Sequence, residues 1–211
     1  MNIAGHVAVA MRLAPDAPRV WLGAALPDLG AMGRFRLMGE THDVDVAAGI
    51  ALHHATDDAF HRHPTFTEAM ARLRRALADD GVARGPARAV AHVGPELLID
   101  GQLLTDSNVS EAVDAAFAEI EPLGPALASL VETDVTSWGQ HLAKAQSWGL
   151  PTDYADPSAV AERMHRILQR RPRLAFDPAL IAPIGRRLSV EQPRLDARLP
   201  TLINDLEAVL R

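Results

Sequence analysis

The chain has no cysteine among its 211 residues. That removes disulfides, thiolate metal sites and cysteine nucleophiles together, so any metal it holds must rest on nitrogen and oxygen ligands. Aromatic residues are scarce, at 4 %, and the 48 % hydrophobic fraction comes mainly from Ala, Leu and Val. This composition disfavours a β-sandwich of aromatic and β-branched strands and favours helices packed through small side chains. No apolar run reaches the roughly 18 to 20 residues of a membrane span. The apolar opening, Met1 to Ala14, lacks a basic leader and carries His6 in its middle, unlike a secretory signal. The expectation is a cytoplasmic protein with no membrane span. Basic charge is also in short supply: the net charge of -6 argues against a nucleic-acid partner, which asks for a basic face or stripe. Three catalytic signatures are missing as well, namely a phosphate-binding glycine loop, a Gly-x-Ser-x-Gly elbow and His-Glu-x-x-His.

What the sequence does contain is helical periodicity broken by proline and glycine. Ile3 to Leu13 reads as a first helix with Asn2 placed to cap it, and Val20 to Leu26 as a short apolar segment stopped by Pro27-Asp28-Leu29-Gly30. Ala31 to Thr41 reads as a surface loop, and Asp43 to His63 as a long helix ended by Pro64. Thr65-Phe66-Thr67-Glu68 has the form of a capping box opening a helix to Ala78. Gly85-Pro86 opens a helix to Leu104, with a kink expected near Gly94-Pro95. Further helices are expected over Ser110 to Ile120 and Pro125 to Ala145, after the cap-and-proline pairs Asp156-Pro157 and Asp177-Pro178, and along the leucine-rich tail from Val190. The sum is an all-α chain of about eight helices. With no repeat and no linker, residues 1–211 read as one helical domain.

Two helices carry chemistry at regular spacing. His53, Asp57 and His61 fall at i, i+4 and i+8, so they share one face, with His54 and Asp58 on a second row. An imidazole and a carboxylate one turn apart suit a divalent cation, and they equally suit a solvated face of weak His-Asp pairs. His92, Glu96 and Asp100 repeat the spacing. Asp100 ends the apolar run Leu97-Leu98-Ile99, where a carboxylate needs either a cation or an arginine partner. His6 on its apolar helix reads as a core histidine or a ligand, and Asp28 as a turn residue or a ligand. Arg170-Arg171-Pro172-Arg173 is a compact basic patch, either a solvated helix end or a donor set for phosphate or carboxylate.

In this order the pieces resemble the acyl carrier protein phosphodiesterase family, itself similar to the wider HD-type metal-dependent phosphohydrolases. Met1-Asn2 with His6 resembles that family's Met-Asn-x-x-x-His, and Gly23 through Asp28 its Gly-x-x-x-x-Asp. Gly49-Ile50-Ala51-Leu52-His53 with Asp57 and Pro64 resembles its Gly-Ile-x-x-His-x-x-x-Asp segment and later proline. Glu96 and Asp100 stand where it has two acids four apart, and Arg170-Arg171-Pro172-Arg173-Leu174 looks like its Arg-Arg-Pro-Arg-Leu. The resemblance implies an HD-like multi-helix bundle and metal-assisted cleavage of a phosphodiester, with Mn²⁺ or Mg²⁺. The prototype reaction releases 4′-phosphopantetheine from holo acyl carrier protein. It further implies His6, Asp28, His53, Asp57 and Asp100 as metal ligands, with Asp28 orienting the attacking water and Arg171 neutralising charge. The chain departs from the pattern at His54-Ala55, where the family shows Arg-Arg, at His61 in place of Asp, and at Gly101 in place of His. His61, His92 and Glu96 are additional candidate ligands, and their nitrogen shifts the expectation toward Fe²⁺, Mn²⁺ or Zn²⁺. Two other readings stay open on the same scaffold: a non-catalytic metal- or ligand-binding protein, and a zinc-dependent phospholipase C-like hydrolase suggested by the Leu26-Pro27-Asp28 turn among scattered histidines.

Overall fold

A computed structural model describes residues 1–38, 40–132 and 134–211, so Gly39 of the expected surface loop and Thr133 of the expected Pro125 to Ala145 helix lie outside the described residues. Among those described there is no strand, as the alanine- and leucine-rich composition requires. The α-helices are α1 (Ile3–Leu13), α2 (Pro18–Gly33), α3 (Val44–Arg62), α4 (Pro64–Asp79), α5 (Arg84–Leu103), α6 (Ser107–Ala118), α7 (Gly124–Ala128), α8 (Val135–Trp148), α9 (Pro157–Leu168) and α10 (Ile181–Leu210). Short 3-10 turns at Thr152–Ala155 and Pro178–Leu180 complete the regular structure. By contact the chain gathers into two compact units. The first comprises residue 1, 60–102 and 151–205; the second comprises 2–59, 103–150 and 206–211.

In the second unit α1 packs on α2 and α6, and α2 also meets α8. Ile3, Val7, Leu22, Leu26, Val113, Phe117 and Trp138 fill the space between them. Trp138 donates its indole N–H to the Leu127 carbonyl at 2.8 Å, so its one polar atom is satisfied within that core. The approach of α2 to α3 depends on two glycines. A Cβ on Gly49 would stand 2.7 Å from the Gly23 Cα and overlap the Val20 carbonyl oxygen, and one on Gly23 would stand 2.9 Å from the Gly49 Cα and overlap the Val46 carbonyl oxygen. Backbone therefore meets backbone here, which only residues without a Cβ permit. Asp43 starts α3 by accepting hydrogen bonds from the amides of Asp45 and Val46.

The expected stop at Pro27 is not one: α2 runs through it from Pro18 to Gly33. Proline's fixed φ fits a helix, and the loss is the hydrogen bond to the Gly23 carbonyl, which burial of Leu26 and Leu29 on either side offsets. Asn2 stands at the N-cap of α1 without making a side-chain cap bond.

The first unit is built on α4, α5, α9 and α10, with Phe60, Phe66, Leu98, Met164 and Leu188 among its buried residues. Arg72 of α4 grips the buried Glu191 of α10 through both Nε and Nη2, and Arg187 of α10 pairs with both oxygens of Asp80. The expected capping box at Thr65 does not form, because Pro64 already occupies the first helical position. His63 caps α4 instead, its Nδ1 accepting from the Thr65 amide at 3.2 Å, while Glu68 pairs with Arg72 and Arg198. Asp156 and Asp177 cap as expected. The tail helix, however, begins at Ile181 and continues past Pro193 and Pro200, and the expected Pro125 to Ala145 helix divides into α7 and α8, with Asp134 capping the second at a left-handed φ of 56°. These differences raise the helix count from about eight to ten among the described residues.

The glycine contact yields a stability test by urea unfolding. Gly49→Ala should cost roughly 1–3 kcal/mol or more, because the new methyl overlaps backbone that cannot move aside locally. Gly139→Ala should be neutral or gain up to about 1 kcal/mol, since that glycine is exposed within α8 with nothing within 4 Å of a Cβ.

Candidate metal centre

Four of the expected ligands come together in the second unit, one from α1, one from α2 and two from α3. His6 is 1 % exposed and His53 7 %, and their rings stack at 3.9 Å between centroids with 29° between planes. His6 Nε2 lies 3.9 Å from Asp28 Oδ2 and 3.8 Å from Asp57 Oδ1. The ligand atoms of His6, Asp28 and His53 all fall within 4.8 Å of one another. Two donors bound to one ion at roughly 2.2 Å are at most roughly 4.4 Å apart, so the His6-acid separations suit a shared cation.

The protonation state of His53 follows from its partner. Its Nδ1 is 2.8 Å from the Ala24 carbonyl oxygen, which only accepts, so Nδ1 carries the hydrogen and donates it. Burial lowers the His53 pKa to about 4, against the opposing effects of the Ala24 carbonyl and the Asp57 charge. The ring is therefore neutral at pH 7, with Nε2 bearing an unshared pair, which is the form and tautomer a metal-binding histidine needs. The two carboxylates occupy the wetter side: the Asp28 side chain is 23 % exposed and that of Asp57 39 %. Buried nitrogen beside half-buried carboxylate oxygen makes a donor set that fits a divalent cation.

The remaining candidates belong to the first unit. His61 Nε2 is 3.2 Å from Glu96 Oε1 and His92 Nε2 is 3.5 Å from the same oxygen. The two rings stack at 4.9 Å and 10°, and Phe66 meets both edge-on. These three residues form a second grouping able to hold a metal ion. His61 thus shares a helix row with His53 and Asp57 in sequence and meets Glu96 and His92 of α5 in space. Asp100 is 1 % exposed and is a member of neither grouping. Burial is the main cause pushing the nearby Tyr154 hydroxyl above its usual range; Arg163 opposes the rise and the Asp100 charge adds to it. Gly101, where the resemblance calls for histidine, lies against the backbone of Tyr154 and Ala155, and a Cβ there would overlap both. That position has no room for any side chain.

Arg171 is exposed in the turn after α9 and lines a cleft of about 540 Å³ together with Arg74, Arg88 and His92. Arg74 and Arg88 carry no motif, and their spacing on two different helices gives no signal until those helices are placed side by side. The Ala24 carbonyl was equally invisible, because a backbone partner has no residue type. No protein-family model, curated protein or solved structure matches the chain.

His53 gives the site a pH signature in the metal-free protein. Its pKa is about 4 folded against about 6.5 unfolded, so the unfolded state takes up the proton first as pH falls. Stability is then fully present above pH 6.5 and declines toward pH 4, by roughly 3 kcal/mol from this group. Urea unfolding across that range should show the decline, and His53→Gln should flatten it relative to the parent; parallel curves for the two proteins would contradict the assignment.

Proposed function

We propose that this protein is a metal-dependent phosphohydrolase acting on a phosphodiester. The observation that carries the reading is the pinned, neutral His53, stacked on His6 and sharing a 4.8 Å neighbourhood with Asp28. The resemblance to acyl carrier protein phosphodiesterases supplies the reaction class, and holo acyl carrier protein or a smaller phosphodiester is the proposed substrate. Two nitrogens beside carboxylate oxygens favour Mn²⁺, Fe²⁺ or Zn²⁺ over Mg²⁺, which prefers oxygen and keeps its waters.

A divalent ion held by His6, His53, Asp28 and Asp57 would supply Lewis acidity, lowering the pKa of a water and polarising a phosphoryl oxygen. The chain's own residues do the rest. His6 and His53 close the buried side against solvent and hold their rings fixed by stacking, and the Ala24 carbonyl keeps the His53 proton on Nδ1. Asp28 reaches the wetter side from α2 and accepts a hydrogen bond from the attacking water, which orients it and takes its proton. Asp57, one turn beyond His53, holds negative charge beside His6. Arg171, which the resemblance casts as the counter-charge, belongs to the first unit, where it lines the arginine cleft.

A second reading, a non-catalytic metal-binding protein, is favoured by Gly101, whose packing against Tyr154 and Ala155 leaves no side chain where the resemblance asks for one. One experiment separates the two. Protein purified without chelator or a nickel column is analysed for bound metal and assayed on bis(p-nitrophenyl) phosphate and holo acyl carrier protein. Hydrolysis is expected, with His53→Ala losing metal and Asp28→Asn losing roughly 100-fold or more in turnover. Bound metal without turnover selects the binding protein, and variants unchanged in both metal and turnover remove the proposal.

A further inference from the structure

The structure assigns a second ligand site, for a small phosphate monoester with an apolar arm, to the arginine-lined cleft of the first unit. It stands apart from the metal reading, because neither its residues nor its test involves His6, Asp28, His53 or Asp57. Three elements build it: Arg74 comes from α4, Arg88 from α5, and Arg171 from the turn that follows α9. That turn is fixed by hydrogen bonds from the Arg171 amide to the Leu168 carbonyl at 2.9 Å and from the Leu174 amide to the Arg171 carbonyl at 2.7 Å. It closes on α5 because Gly85 has no side chain; a Cβ there would stand 2.7 Å from the Arg173 carbonyl oxygen. The sequence thus places a glycine where it lets Arg171 face the cleft that Arg88 lines.

Charge is what distinguishes this cleft from ordinary solvated surface. An adjoining cleft of about 390 Å³ shares Arg74 and Arg88 and adds Arg75 and Arg84, so five arginines line the pair and no carboxylate does. Among the described residues none of the five is ion-paired with an acid, a state they share with exposed arginines such as Arg36 and Arg186; what sets these five apart is that they line two adjoining clefts. The chain carries 27 acids to 21 lysines and arginines, so acids to interleave are plentiful. A concave surface lined by one sign of charge concentrates field and draws a counter-ion of the other sign. Guanidinium groups converging from three elements offer the forked donors that match phosphate oxygens.

Size and floor select the class of ligand. The larger cleft, at about 540 Å³, falls in the range of small-molecule sites, roughly 300–1,000 Å³. Its floor includes Met70, Val93 and Leu174, which suit a short apolar arm beside the phosphate. A free inorganic phosphate leaves that floor uncovered; a phosphate ester covers it.

Calorimetry on the full chain in the presence of EDTA tests this with phenyl phosphate, inorganic phosphate and a short single-stranded oligonucleotide, so that no metal-phosphate contact is read. Phenyl phosphate is expected to bind saturably and more tightly than inorganic phosphate, with affinity falling as salt rises. Arg88→Ala and Arg171→Ala should each weaken it about tenfold or more, while Arg186→Ala, an exposed arginine outside the cleft, should leave it unchanged. All three are surface substitutions, and unchanged circular dichroism will show that each variant folds. The proposal is overturned by no saturable binding, by equal losses in Arg186→Ala and Arg171→Ala, or by an oligonucleotide that binds more tightly than phenyl phosphate.

Discussion

The hydrogen bond from His53 Nδ1 to the Ala24 carbonyl is the constraint on which the geometry of the candidate site depends. It exists because α2 and α3 touch through Gly23 and Gly49, and that contact brings a histidine one turn along α3 to a carbonyl one residue along α2. The bond fixes the tautomer, the ring plane and the direction of Nε2 together. Residues with no functional chemistry thereby determine the chemistry of one that has it. A larger residue at either glycine would separate the helices, and His53 would lose the acceptor that orients it.

The same contact explains the electrostatic arrangement. Two buried imidazoles in stacking distance would repel if both were charged, and burial penalises the charge in any case. The second unit keeps His53 neutral and leaves formal charge to Asp28 and Asp57 on the wetter side, where desolvation costs less. The candidate site thus offers negative charge from half-buried carboxylates and directional lone pairs from buried nitrogen. In the first unit the roles are reversed: Glu96 is the buried member, while His92 is exposed and His61 half-exposed. The two groupings share residue types but differ in which kind of donor faces water.

Legibility in the sequence followed the range of the interactions involved. The all-helical class and the caps at Asp156 and Asp177 rest on composition and on neighbours two or three residues apart, and these were readable directly. Pro27 does not stop α2, because the burial of Leu26 and Leu29 on either side outweighs a proline's local cost. Thr65 misled because Pro64 had already set the helix start one residue earlier. At the site, i, i+4 spacing puts His53 with Asp57 and His92 with Glu96 on common helix faces, but spacing along a helix says nothing of which helix faces it. His61, on the row of His53 and Asp57, pairs with Glu96 and stacks on His92, two contacts that its own helix does not announce.

Net charge gave the most incomplete guidance, for a related reason. A value of -6 is a sum over the whole chain, and it excludes a basic protein without excluding a basic place on an acidic one. The pairs Arg72-Glu191 and Arg187-Asp80 lock arginine to an acid across helices, where it acts as a tie. Arg74, Arg75, Arg84, Arg88 and Arg171 are left out of that scheme and collected around two adjoining clefts. Their mutual repulsion is a cost to the folded state, small in water at physiological ionic strength and not relieved by a direct ion pair. An anion entering the cleft relieves that repulsion as well as adding its own attraction. The surface is therefore better satisfied with a ligand than without one.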